Sequence, residues 1–125
     1  VHGVAKSGSG GAMGALMPAL ARSMEWRLAD CNAQELANTA WAFAKAGQSD
    51  AQLFTTLARV AERHLDHFNA QELANMAWAF ATAGHSDAQL FKELAKWAEQ
   101  RLKDFNTQGF SIMAWAFAKA GHLDA

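Results

Sequence analysis

The residue types in this chain that could do chemistry are amides and an indole, and they recur together. A glutamine is followed by an asparagine four residues later and by a tryptophan after three more. The group occurs at Gln34, Asn38 and Trp41, at Gln71, Asn75 and Trp78, and, with Ile112 in the middle position, at Gln108 and Trp115. Asn and Gln offer a donor and an acceptor in one plane, which suits them to reading base edges. Arrays that use one helical repeat per base have this geometry, so the spacing suits RNA recognition, with a merely solvated helix face as the alternative.

Lysines accompany two of the three groups and could contact phosphates. Lys45 and Lys119 each follow a tryptophan by four residues, and Thr82 takes that place in the middle copy. The predicted RNA-binding residues are Gln34, Asn38, Lys45, Gln71, Asn75, Gln108 and Lys119. Trp41 and Trp78 are predicted instead to be largely buried between successive units, because an indole buries a large area when it packs.

Other kinds of chemistry find little support in the sequence. His64 and His67 are spaced for one helix face, but Arg101 and Asp104 replace them one repeat later, so a metal pair is not predicted. The glycines of residues 8–14 lack the Lys-Ser/Thr that follows in a phosphate-binding loop. We predict no catalytic residue, no metal and no cofactor, and hence a protein that is not an enzyme.

The elements that must position these side chains form a repeat of 37 residues. Segments 32–68 and 69–105 are identical at 26 of 37 positions. A fixed period in this range is typical of stacked repeat arrays. We predict one domain over residues 1–125, made of a partial repeat 1–31, full repeats 32–68 and 69–105, and a partial repeat 106–125. Because no polar capping helix is visible at either end, we expect an excerpt of a longer array or ends covered by a partner.

Each repeat is predicted to be a helical hairpin. Asn32 and Glu35 form a capping box that begins helix A, over roughly residues 33–46, and Gly47 ends it. Ser49 and Asp50 open helix B, over roughly residues 50–67. An apolar arc on helix A comprises Leu36, Ala37, Ala40, Phe43 and Ala44, and the stripe on helix B comprises Leu53, Leu57, Ala61, Leu65 and Phe68. With no strand signal, the predicted fold is all-α: a right-handed α-solenoid of stacked helix-turn-helix hairpins.

Composition limits the classes of function. The formal net charge is −1 and no basic block is present, which argues against a strongly electrostatic nucleic-acid binder. The single cysteine, Cys31, excludes an intrachain disulfide framework and fits a reducing compartment; we expect it to be a small core residue. No apolar run approaches the ~20 residues of a membrane span, so no membrane insertion is predicted.

The helix A motif resembles the octotricopeptide and heptatricopeptide repeats of organelle RNA-binding proteins, which often carry a RAP domain. The resemblance rests on Leu-Ala-x-x-x-Trp-Ala-Phe-Ala with a following glycine and covers essentially the whole chain. It implies an α-solenoid that binds single-stranded RNA in a chloroplast or mitochondrion, for transcript stabilisation, processing, translation or ribosome assembly. This chain lacks a RAP domain, and Gly109, Ser111 and Ile112 depart from the polar pattern. The alternative is a protein-protein scaffold or structural subunit of a large organelle complex.

Overall fold

The described part of the chain is all-helical. The computed structural model describes residues 15–16, 18–47 and 50–121, and no strand occurs within these ranges. Helix α1 comprises residues 18–27, and residues 15–16 are also helical. The helices that follow are α2 (Ala33–Lys45), α3 (Ala51–Glu62), α4 (Ala70–Ala83), α5 (Ala88–Gln100) and α6 (Thr107–Ala120). Short 3-10 helices, Leu28–Asp30, Leu65–His67 and Leu102–Asp104, precede α2, α4 and α6. The prediction of an all-α fold is confirmed for these residues.

Asparagines begin the A helices α2, α4 and α6. The Asn32 side chain accepts a hydrogen bond from the Glu35 backbone N–H at 2.8 Å, and the Glu35 side chain accepts from the Asn32 N–H at 2.9 Å. Asn69 starts α4 with the same pair of bonds. At α6 the Asn106 side chain accepts from the Gly109 N–H, but Gly109 has no side chain to return the second bond. The predicted capping box is therefore confirmed in α2, recurs in α4 and is reduced to half in α6.

Glycines in the left-handed conformation follow the A helices. Gly47, Gly84 and Gly121 have φ angles of 76°, 79° and 82°, in a region that residues with a Cβ rarely adopt. The prediction that Gly47 ends helix A is confirmed, although α2 stops at Lys45, one residue earlier than expected. The chain can thus turn sharply into helix B at the same point of each repeat.

The B helices begin at aspartates and are shorter than predicted. Asp50 is the N-cap of α3, with its side chain accepting from the Leu53 N–H, while Ser49 lies outside the described residues. The predicted extension to residue 67 is wrong, because α3 ends at Glu62 and the chain tightens into the 3-10 helix Leu65–His67. The backbone N–H groups of Arg63 and His64 donate to carbonyls three residues earlier, those of Val60 and Ala61, and so start this tightening. These bonds also satisfy carbonyls at the end of the helix.

The core lies mainly between consecutive A helices. Helix α4 packs along α2 on one side and along α6 on the other, whereas α3 and α5 make a smaller contact. All five residues of the predicted helix A arc in α2, Leu36 to Ala44, are buried. Rings from helices A and B meet edge to face at each level: Phe54 on Phe80 and Phe91 on Phe117, with centroids 5.0 Å apart in both pairs. The alanines allow close approach of the helices, and the phenylalanines fill the space between hairpins.

The helix B stripe is buried as predicted in the first copy and partly in the second. Leu53, Leu57, Ala61, Leu65 and Phe68 are all buried. Leu102, the counterpart of Leu65, is 50% exposed. The difference has a direct cause, since α5 packs on the 3-10 helix that contains Leu65, and no equivalent helix covers Leu102 among the described residues. Cys31, which we expected in the core, is half-buried against it, and burial raises the pKa of its thiol.

Arginines on α1 and α3 link these helices to the N-caps of α3 and α5. Arg22 of α1 donates to the Asp50 carboxylate at 2.8 Å, and Arg59 of α3 donates to the Asp87 carboxylate. Asp50 and Asp87 are also the N-caps of α3 and α5. Each of these carboxylates therefore serves its own helix and the preceding hairpin together.

Candidate functional site

A groove of about 590 Å³ lies between the N-terminal ends of α4 and α6. Its volume falls in the range of about 300–1,000 Å³ that ligand sites occupy. The described residues that line it are Trp41, Asn69, Ala70, Gln71, Ala74, Asn75, Asp104, Phe105, Asn106, Gln108, Gly109 and Ile112. Three of the seven predicted RNA-binding residues, Gln71, Asn75 and Gln108, are therefore brought together at one site.

Helix periodicity and the 37-residue repeat explain how these amides meet. Gln71 and Asn75 are four residues apart on α4, so they share one face of the helix. Gln108 occupies the position of Gln71 on α6, which packs alongside α4. Ile112 takes the place of Asn75 and adds an apolar surface to the groove.

Gly109 contributes to the groove through its lack of a side chain. It stands where α4 has Glu72, whose side chain closes the capping box. A Cβ at Gly109 would lie 3.1 Å from Cδ2 of Phe105 and 3.3 Å from Oδ1 of Asn106, which is closer than ordinary contact. The absence of a side chain at Gly109 leaves this end of the groove open.

The amide groups in the groove are available to a ligand. Gln71 and Gln108 are exposed and Asn75 is half-buried. None of these three side chains hydrogen-bonds to another residue in the described part of the chain. Their donors and acceptors are thus free to pair with an incoming molecule or with water.

The tryptophans beside the groove are more accessible than predicted. Trp41 is 41% exposed, so the prediction that it is largely buried is wrong, and Trp78 is half-buried against the core. Their ring centroids lie 6.3 Å apart with the planes tilted by 35°. Trp41 and Trp78 each follow a fully buried alanine, Ala40 or Ala77, so each indole leaves its helix at the edge of the buried arc and not at its centre. An exposed indole at the groove offers a flat surface for stacking.

Comparison with known proteins provides the decisive observation about the family. The sequence matches the family described as RNA-editing substrate-binding complex 6 protein over residues 11–122. The chain belongs to this family. No curated protein matches it.

In this member of the RNA-editing substrate-binding complex 6 family, the groove contains little charge. Asp104 is the one formally charged side chain among the described residues that line it. Lys45, one of the two predicted phosphate-binding lysines, has its Nζ 5.3 Å from the centroid of the Trp41 ring, which lines the groove. The groove itself is therefore suited to neutral polar groups, with positive charge at its edge.

The remaining predicted residues lie outside the groove lining. Gln34, Asn38, Lys45 and Lys119 are exposed positions on α2 and α6. They belong to the A helices that flank α4, so they share its array without lining the same groove. Their roles stay predictions.

Sequence reasoning missed several residues that line the groove in this family member. Asp104 entered the sequence analysis only as the counterpart of His67, and Phe105 and Asn106 were not among the predicted binding residues, yet all three line the groove. Variation between copies is a signal that could have singled out Asp104, because its counterparts are Asp30 and His67. The cap residues carry no comparable signal, since asparagine occurs in all three copies.

The described residues contain no group of three or more His, Cys, Asp or Glu side chains able to hold a metal ion. None of the described helices combines the length and apolar character needed to cross a membrane. Polar amides, aromatic rings, small apolar residues and one carboxylate line the groove.

Proposed function

We propose that this chain is a non-catalytic binding module that holds single-stranded RNA along the face formed by its A helices. The observation that carries the proposal is the convergence of Gln71, Asn75 and Gln108, without internal partners, beside the exposed Trp41. The family name, which refers to a complex that binds the substrate of RNA editing, supports the same function.

The mode of binding follows from the chemistry of the groove. A base stacks on the indole of Trp41, and the amides pair with its polar edges. Lys45 and Lys119 contact phosphates from the ends of their helices, while Gln34 and Asn38 repeat the amide pair on α2. The phosphates thus remain at the edge of the groove and the bases enter it.

The wider organisation belongs to the same proposal. The repeated caps, glycine turns and ring pairs support an α-solenoid in which the repeats 32–68 and 69–105 belong to one domain. An organelle, a chloroplast or a mitochondrion, is the proposed compartment, and a family named for RNA editing is consistent with it. The assignment of the repeat to the octotricopeptide type rests on the motif alone.

A protein scaffold is the second candidate, and one surface favours it. Leu102, Phe110 and Trp115 of the last described hairpin are 45–50% exposed. Leu65 and Leu73, the counterparts of Leu102 and Phe110, are fully buried under the following hairpin. An apolar face of this kind fits a helical protein partner in a large complex.

The two functions can be separated by titrating the chain with a fluorescent, randomised single-stranded RNA of about 20 nucleotides. We expect the double variant Gln71→Ala/Asn75→Ala to weaken RNA binding at least severalfold, since each lost hydrogen-bonded contact between an amide and a base costs about 1–3 kcal/mol. Gln100→Ala is the matched control, because it removes an exposed amide from the opposite helix of the hairpin. Equal affinity of wild type, double variant and control would instead favour the scaffold.

A further inference from the structure

The charge in the groove indicates which part of an RNA enters it. Neither lysine nor arginine is present among the described lining residues, and Asp104 contributes a negative charge. Two negative groups a few ångströms apart repel each other, so a phosphate beside Asp104 is disfavoured. The ligand group in the groove must therefore be neutral or carry N–H donors towards the carboxylate.

The surfaces of the groove fit the faces and edges of a base. Trp41, Ala74 and Ile112 supply apolar surface for a planar ring system, and the amides lie beside it. The volume of about 590 Å³ leaves room for a purine with part of its sugar. These features select a nucleobase over a sugar-phosphate segment.

The carboxylate distinguishes among the four bases. An ionised carboxylate only accepts hydrogen bonds. Guanine alone presents two adjacent donors on its Watson-Crick edge, the N1–H and the 2-amino group. Uracil has one N–H between two carbonyl oxygens, and adenine and cytosine each place an acceptor nitrogen beside their amino group. The acceptors N7 and O6 of guanine are matched by the amide N–H donors of the groove.

We propose that this groove selects an unpaired guanine, with the Asp104 carboxylate accepting from N1–H and the 2-amino group. The inference rests on the proposed RNA binding and assigns its base preference. Because the same position holds His67 in the preceding repeat, the preference belongs to the groove between α4 and α6.

An arginine side chain from a protein is the competing ligand, because a guanidinium also presents two adjacent N–H donors. Arginine has no acceptor, however, so it would leave the amide donors of Gln71, Asn75 and Gln108 unused. Guanine uses both kinds of group, which is the reason to favour RNA here.

The test uses four pools of fluorescent seven-nucleotide RNAs, each with one fixed central base, G, A, C or U, and randomised flanks. The 125-residue chain, its Asp104→Asn variant and its Asp30→Asn variant are titrated with every pool. Asp30 is the matched control, because it holds the same repeat position, is exposed and does not line the groove. Melting temperatures of the variants verify that they are folded.

The expected result is a preference of the wild type and of Asp30→Asn for the G pool, by roughly 5- to 100-fold, and its loss in Asp104→Asn. RNA binding with no base preference, or a preference that survives Asp104→Asn, would overturn the guanine assignment and leave the proposed function standing. Failure of all four pools to bind would overturn both. Binding of an arginine-rich peptide instead, with the same dependence on Asp104, would overturn the guanine assignment by identifying a basic protein segment as the ligand.

Discussion

At the scale of single residues, the tryptophans and phenylalanines of this chain have separate roles. Phe54, Phe80 and Phe91 are completely buried and hold consecutive hairpins together. Trp41 is partly exposed at the groove and rests against Trp78. Aromatic residues in the same repeat thus divide between the core and the candidate site.

This division predicts unequal effects of truncation on stability. Phe80→Ala should lower the free energy of unfolding by about 3–5 kcal/mol, because it removes a fully buried ring. Trp41→Ala should cost only about 1 kcal/mol, the scale of one aromatic pair, while weakening RNA binding. Urea denaturation measures both values. A loss above about 3 kcal/mol for Trp41→Ala would show that this indole is packed like the core.

The glycine that follows α4 gives a second prediction at this scale. Gly84 has a φ of 79°, and a Cβ added there would meet no neighbouring atom within 4 Å, so only backbone strain opposes a substitution. Gly84→Ala should therefore cost about 1–2 kcal/mol of stability. Gly84→Asn is the control and should cost less, because asparagine tolerates this conformation. Equal losses for both variants would point to a cause other than backbone strain.

At the scale of the elements, ionised caps connect one helix to another. Asp50 caps α3 and accepts from Arg22, and these hydrogen bonds hold the pKa of its carboxyl below the usual range. Glu62 at the end of α3 has the opposite shift, because burial raises its pKa despite the nearby Arg59. Protonation of the two carboxyls should therefore have opposite effects on the stability of the fold.

The pH dependence of unfolding should reveal this difference. The pKa of Asp50 is lower in the folded state than in the unfolded state, so its ionised carboxylate stabilises the fold. This stabilisation is fully present above the unfolded pKa of about 3.9 and is lost as the pH falls through the folded-state pKa. Asp50→Asn keeps a cap but removes the charge, so it should be less stable than wild type near pH 7, with the gap closing in acid. Denaturation of both proteins from pH 7 to pH 2 checks this.

Glu62→Gln provides the comparison of opposite sign. The raised pKa of Glu62 means that its ionised form opposes folding above the folded pKa. The variant should therefore match or exceed wild-type stability near pH 7, and any gain should shrink as the pH falls. A destabilised Glu62→Gln near pH 7 would show that the ion pair with Arg59 outweighs burial.

Helix boundaries were predictable to the extent that they depend on local hydrogen bonds. Asn32 and Gly47 determine the ends of helix A through contacts within a few residues, so the sequence alone locates them. The exposure of Trp41 and the groove beside Gly109 depend on how closely α2, α4 and α6 approach one another. The angular positions of residues around one helix do not give the distance between neighbouring helices. For this reason the burial of Trp41 was predicted wrongly and Asp104 was missed.

At the scale of the whole molecule, the net charge limits how the proposed RNA binding can work. The net charge is −1, and the predicted phosphate contacts are limited to Lys45 and Lys119. The affinity of the proposed RNA complex should therefore depend on stacking and amide pairing more than on counterion release.

Salt titration tests this balance. With two phosphate contacts, the slope of log K against log salt concentration should be about −1.4 for single-stranded RNA. Removing Lys45 as Lys45→Ala should make the slope shallower by about 0.7. Affinities measured between about 50 and 200 mM salt give both numbers. A slope several times steeper would mean that cations outside the predicted set dominate binding.

The double use of each aspartate cap gives the array a direction. Asp87 holds the start of α5 and also the guanidinium of Arg59 from the hairpin before it. If a hairpin opens, the next one in the chain loses the counter-charge at its cap, whereas the previous one keeps its own cap intact. Fraying that starts at the amino-terminal side should therefore spread forward more readily than fraying from the other side spreads back. Amide hydrogen exchange measured across the repeats would then show this asymmetry. Opening of the amino-terminal hairpin would lower protection in the hairpin that follows it more than opening of a later hairpin lowers protection in the one before it.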